Sequence, residues 1–122
     1  MSAQVETTDH DVSVEKAAEM SGSEDVQLVD VRQDFEWEAG HIEGATHIPL
    51  DQLPARADEV NRDGKVVFVC RSGGRSAMAT KAFRESGFEG VNMVGGMEAW
   101  VEAGKPIIPE DGEVAGPRPD NT

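Results

Sequence analysis

The hydrophobic residues of this 122-residue chain fall alternately into short continuous runs and into stripes at helical spacing. Short runs rich in β-branched residues and bounded by turn-formers read as buried strands, and stripes at i, i+3 and i+4 read as amphipathic helices. A helix over about 14–21 follows Val12-Ser13-Val14, and residues 26–31 form a strand. Residues 34–39 read as a short helix stopped by Gly40. Residues 46–48 are a minimal strand ended by Pro49, and 51–61 a helix with Pro54 near its first turn. The strand over 66–70 leads into a helix from about 75 to 86, with Ala79, Ala82 and Phe83 as its buried stripe and Gly87 at its C′ position. Residues 91–94 are the last strand. Met97, Trp100 and Val101 form the apolar stripe of a closing helix, ended by Gly104 and Pro106. Strands alternating with helices predict the α/β class, a central parallel β-sheet with helices on both faces. The two ends, 1–11 and 110–122, have too few apolar groups to offset the cost of ordering, so they are expected to be flexible tails around one domain over 12–109.

The run Val66-Val67-Phe68-Val69 ends in the only cysteine, Cys70, which is followed at once by Arg71-Ser72-Gly73-Gly74-Arg75-Ser76 and a helical pattern. A strand end sets the sulfur at the carboxyl edge of the sheet, where open α/β sheets form their ligand crevice. The loop and helix start add unpartnered backbone N–H groups and the positive end of a dipole. That setting favours thiolate over thiol. Most free cysteines are small buried hydrophobes, but this position directly before a Gly-Gly loop points to a nucleophile. Four residues separate Cys70 from Arg75, so N–H groups from Arg71 to Ser76 close around a small guest only, such as the outer sulfur of a persulfide. Gly73 and Gly74 belong to this cradle, because converging N–H groups need backbone conformations that a Cβ obstructs.

Asp30-Val31-Arg32, Glu36-Trp37 with Gly40-His41-Ile42-Glu43-Gly44-Ala45, His47-Ile48-Pro49, and Gly95-Gly96-Met97-Glu98-Ala99-Trp100 stand in order around that loop. In this set, over about residues 12–109, the chain resembles the rhodanese family of sulfurtransferases. The resemblance implies the rhodanese-like fold and double-displacement catalysis. Cys70 takes a sulfane sulfur from thiosulfate or a persulfide donor, holds it as a persulfide, and passes it to a thiophilic acceptor. Cyanide is the acceptor such an assay uses, and a thiol or carrier protein the cellular one; no cofactor and no metal is implied. Cysteine phosphatases need a spacer one residue longer than this one, and a lone cysteine leaves arsenate reduction without a resolving thiol. The remaining alternative is a non-catalytic module of the same fold that carries sulfur or senses oxidation.

Each neighbour of Cys70 has two readings. Arg71 either meets the anionic end of the donor, as the family's outward-pointing residue implies, or is a solubilising surface charge. Arg75 either contacts a bound anion or pairs with an acid to fix the loop. Ser72 and Ser76 can donate hydroxyl hydrogen bonds, and Ser76, in the first turn of the helix, reads first as a cap. Asp30 and Arg32 end the second strand at the same sheet edge; they either support the pocket or, with Arg32 paired to Glu36, brace a turn. His41 and His47 titrate near neutrality, yet no carboxylate–histidine set with ligand spacing accompanies them. Both read as structural; Gly95-Gly96 and Trp100 likewise read as turn and core, with a flank of the pocket as the second reading of the Gly-Gly turn.

Composition narrows the partners. Eleven basic against 24 acidic residues give a net charge of −13, which argues against nucleic acid and anionic membranes. The same charge repels thiosulfate, although Arg71 and Arg75 place two cations on the loop itself, within a Debye length of ~10 Å at 0.1 M salt. A single cysteine excludes an internal disulfide and a Cys-x-x-Cys pair, which points to a reducing compartment. With no apolar stretch of secretory or membrane-spanning length, a cytoplasmic location is the expectation.

Overall fold

The computed structural model describes residues 10–115. Five parallel strands, β1 (Asp11–Val12), β2 (Val26–Asp30), β3 (Thr46–His47), β4 (Lys65–Val69) and β5 (Glu89–Met93), form one sheet in the order β1-β5-β4-β2-β3. The interleaved helices are α1 (Val14–Met20), α2 (Asp34–Ala39), α3 (Gly74–Glu85) and α4 (Gly96–Glu102). Alternating side chains sort the core into two layers, as a sheet buried on both faces requires. Leu28, Val67, Val69, Val91 and Met93 pack with Val14 and Ala17 of α1 and Met97 and Trp100 of α4. On the other face Val29, Val66, Phe68 and Cys70 pack with Ala79 and Phe83 of α3, together with Phe88, Leu53 and Val60. The fold is thus the expected α/β sheet with helices on both faces. Because β4 is the middle strand and Cys70 directly follows it, the sulfur sits at the centre of the carboxyl edge and on the α3 face.

The expected helix over 51–61 does not form; two 3-10 turns, Leu50–Gln52 and Ala57–Glu59, stand there instead. Short helices depend on tertiary packing, and this stretch buries only Leu53 and Val60. Pro54 removes an N–H and restricts the residue before it, while Asp58 and Glu59 would oppose the dipole at a helix C-terminus. In α3 the buried stripe is Ser76, Ala79, Thr80 and Phe83, and Ala82 is exposed. Thr80 is tolerated inside because its hydroxyl donates to the Ser76 carbonyl at 2.8 Å. In α4, Met97 and Trp100 are buried, but Val101 turns to solvent.

Parts of the expected end segments lie within the described residues. Asp11 pairs in register with Asn92 at the sheet edge. Near the other end the Glu113 N–H donates to the Ala39 carbonyl at 2.9 Å, and Val114 packs against the α1–α4 core. Residues 1–9 and 116–122 lie outside the described residues.

Candidate active site

Cys70 is 1% exposed, and three groups converge on its Sγ: the Gly73 N–H at 3.1 Å, the Ser76 N–H at 3.3 Å and the Ser76 hydroxyl oxygen at 3.3 Å. The loop bends back over the sulfur because Gly73, the N-cap of α3, takes φ +110°, a conformation nearly closed to residues with a Cβ. Gly74 is different: its φ is ordinary, and a Cβ there would meet no atom within 4 Å. The N–H groups of Gly74 and Arg75, in the first turn of α3, have no intrahelical acceptor.

The loop is held from behind by α4. Met97 N–H donates to the Cys70 carbonyl at 2.8 Å and Glu98 N–H to the Arg71 carbonyl at 3.0 Å. That approach leaves no space at Gly96, where a Cβ would fall 2.3 Å from the Cys70 oxygen and 2.6 Å from the Arg71 oxygen. Gly95-Gly96, taken from the sequence as turn and core, therefore also sets the position of the loop.

Each arginine near the site is paired with a carboxylate. Arg75 makes two hydrogen bonds to Glu36, at 2.8 and 2.9 Å, so it closes the loop through α2. Burial by itself pushes the Glu36 carboxyl up. Hydrogen bonds from Arg75 and the Gln33 N–H, with the charges of Arg75 and Arg32, outweigh it and hold the group below its ordinary value. Arg75 is held above its own ordinary value, first by the hydrogen bond to Glu36, against the opposing effect of burial, and also by the charges of Glu36, Cys70 and Asp30. Arg71 donates to Glu98 at 2.9 Å and lies partly exposed beside α4.

Asp30 and Arg32 do not reach the sulfur loop by hydrogen bonds. Arg32, fully buried, grips Asp30 with Nε and Nη2 and donates to the Gly40 carbonyl at 2.9 Å, tying the end of β2 to the end of α2. The expected Arg32–Glu36 brace is thus replaced by Arg32–Asp30 and Glu36–Arg75. His41 and His47 both stack on Trp37, with centroids 3.6 and 4.7 Å away, and each donates from its ring to a carbonyl, Trp37 and Arg32 respectively. They are structural.

Ser76 is not a cap. It lies at the third helical position and is fully buried, and its hydroxyl contacts Cys70 and, at 2.5 Å, Asn92 of β5. Sequence reasoning passed over Asn92, although a polar residue within the apolar run Val91-Asn92-Met93-Val94 was a signal for it. Ser72 is exposed at the rim and lines, with Gly73 and Asn92, a cavity of about 630 Å³ between α3 and the β1–β5 edge. Cys70 is not part of that lining.

This fold agrees with the comparison to known proteins: the family model for the rhodanese-like domain matches residues 13–103. The chain belongs to the rhodanese-like domain family. Among relatives, it is 38% identical over 94 residues to a sulfurtransferase of Allochromatium vinosum, covering 76% of this chain and 88% of that one. It is 33% identical over 93 residues to the thiosulfate sulfurtransferase GlpE of Shewanella oneidensis, covering 75% and 92%. The crystal structure of a rhodanese-related protein from Thermoplasma volcanium superposes with a TM-score of 0.76 at 28% identity, over 81% of this rhodanese-like chain and 97% of that one.

Proposed function

We propose that this rhodanese-like protein is a sulfurtransferase that moves a sulfane sulfur from thiosulfate or a persulfide donor to a thiophilic acceptor through a persulfide on Cys70. The carrying observation is the convergence of the Gly73 and Ser76 N–H groups on a single buried sulfur at the sheet's carboxyl edge. The Cys70 thiolate attacks the outer sulfur of thiosulfate; a new S–S bond forms, the donor's S–S bond breaks, and sulfite leaves with the electron pair. The outer persulfide sulfur carries the negative charge, and the N–H groups of Gly74 and Arg75, which lack acceptors within the first turn of α3, are the donors this reading assigns to it. An acceptor nucleophile, cyanide or a thiol, then takes the outer sulfur and releases the Cys70 thiolate.

Arg75 serves this reading by fixing the loop through Glu36, and Arg71 meets the anionic donor only by sharing or leaving Glu98. The short spacer argues against phosphoryl transfer, and a lone thiol that must stay reduced suits a cytoplasmic protein. Steady-state rates with thiosulfate and cyanide test the scheme. Parallel double-reciprocal lines and loss of activity in Cys70→Ser are expected; intersecting lines, or an active Cys70→Ser variant, would contradict it.

A further inference from the structure

The Ser76 hydroxyl has one proton and two neighbours, 2.5 Å to Asn92 Oδ1 and 3.3 Å to Cys70 Sγ. An amide oxygen only accepts, so the shorter contact holds the proton and the side of Ser76 Oγ that faces the sulfur is a lone pair. The amide's direction is fixed from its other end, where Nδ2 donates to Asp11 Oδ1 at 3.4 Å. Turned over, it would set its oxygen against a carboxylate oxygen. Ser76 is fully buried and Asn92 is 7% exposed, so solvent offers the hydroxyl little alternative.

We propose that Asn92 is a positioning residue for the chemistry of Cys70: by holding the Ser76 proton it withholds a third hydrogen bond from the thiolate and keeps the sulfur the stronger nucleophile. The inference rests on the sulfur-transfer reading and deepens it. As a thiol, Cys70 donates its S–H to Ser76 Oγ; as a thiolate, it keeps only the Gly73 and Ser76 N–H groups. Once the persulfide forms, Sγ is a neutral bridging atom and the charge lies on the outer sulfur. A donor turned away from Sγ therefore costs the thiolate more than the persulfide, which favours uptake of sulfur. The charged groups around this chain of contacts are Arg75 of α3, Asp30 and Arg32 at the end of β2, Glu36 of α2, Arg71 with Glu98, Asp11 and His10 beyond Asn92, and Lys81, Arg84 and Glu85 of α3, which line the same cavity as Asn92. The variants below leave all of them in place.

The test follows alkylation of Cys70 by iodoacetamide against pH in the full chain, for wild type, Asn92→Leu, Ser76→Ala and the double variant. Freeing the Ser76 proton in Asn92→Leu should lower the pH midpoint by about one unit, the scale of one hydrogen bond to a charged group. It should lower the plateau rate at high pH about threefold, because thiolate reactivity follows basicity with an exponent of ~0.5. Ser76→Ala alone should not raise the midpoint, and adding Asn92→Leu to it should cause no further shift. An Asn92→Leu midpoint at or above wild type, a raised midpoint in Ser76→Ala, or equal Asn92 effects in both backgrounds would overturn the assignment. Ser76→Ala decides by its sign even if Asn92→Leu does not fold. Variants that show these shifts, together with a wild type that takes no sulfur from thiosulfate, would refute the sulfur-transfer reading rather than the Ser76–Asn92 arrangement.

Discussion

Arg75 and Glu36 face each other in a two-point contact of 2.8 and 2.9 Å that fastens the start of α3 to α2. Glu36 is almost fully buried and Arg75 about one-third exposed, so removing one partner strands a charge that water reaches from one side only. The folded Glu36 carboxyl titrates below its ordinary 4.5. Its contribution is therefore complete above that pH and is lost as pH falls through the folded-state value. Urea unfolding should show Glu36→Gln weaker than wild type by about 1–3 kcal/mol near neutral pH, a range reduced for the exposed side of Arg75. The two curves should converge in acid. Equal stability at neutral pH would mean that the pair does not hold the loop.

The glycines around the sulfur are not equivalent. Gly96 has φ +59°, and a Cβ there would overlap the Cys70 and Arg71 carbonyls. Gly96→Ala should cost about 2–4 kcal/mol from left-handed strain and overpacking together and should lower sulfur transfer sharply. Gly74→Ala meets open space at an ordinary φ and should leave stability unchanged or raise it by up to about 1 kcal/mol. Denaturant curves for the two variants check this, and similar losses in both would contradict the contrast.

Arg71 is tied to Glu98, so its charge is offset where a sulfur donor would approach. Glu98→Gln should raise kcat/KM for thiosulfate about two- to fivefold at low salt, the effect of deleting one negative charge near a dianion in largely aqueous surroundings. The gain should fade as ionic strength rises. An unchanged or lower rate in this variant would show that Arg71 is a surface charge without a part in donor binding.

What could be read from the sequence was what neighbours along the chain decide. Val66 to Cys70 and the Gly-Gly turn are contiguous, and their alternation with helical stripes is enough for a parallel sheet with a thiol at its edge. The stretch over 51–61 was misread because its propensity is weak, while two buried residues and a proline settle its path. Pairing between distant residues was the harder part. Glu36 lies near both Arg32 and Asp30 in sequence, yet its partner, Arg75, is 39 positions away. Ser76 looked like a cap because the first turn of a helix favours one, and only the packing of α3 on β5 turns it to Asn92.

The central claim is that Cys70 carries the transferred sulfur, and the intact mass of the purified protein measures this most directly. After thiosulfate treatment wild type should gain the mass of one sulfur atom, lose it again on addition of cyanide, and Cys70→Ser should gain nothing. A wild type without that adduct, or an adduct that persists in Cys70→Ser, would contradict the account.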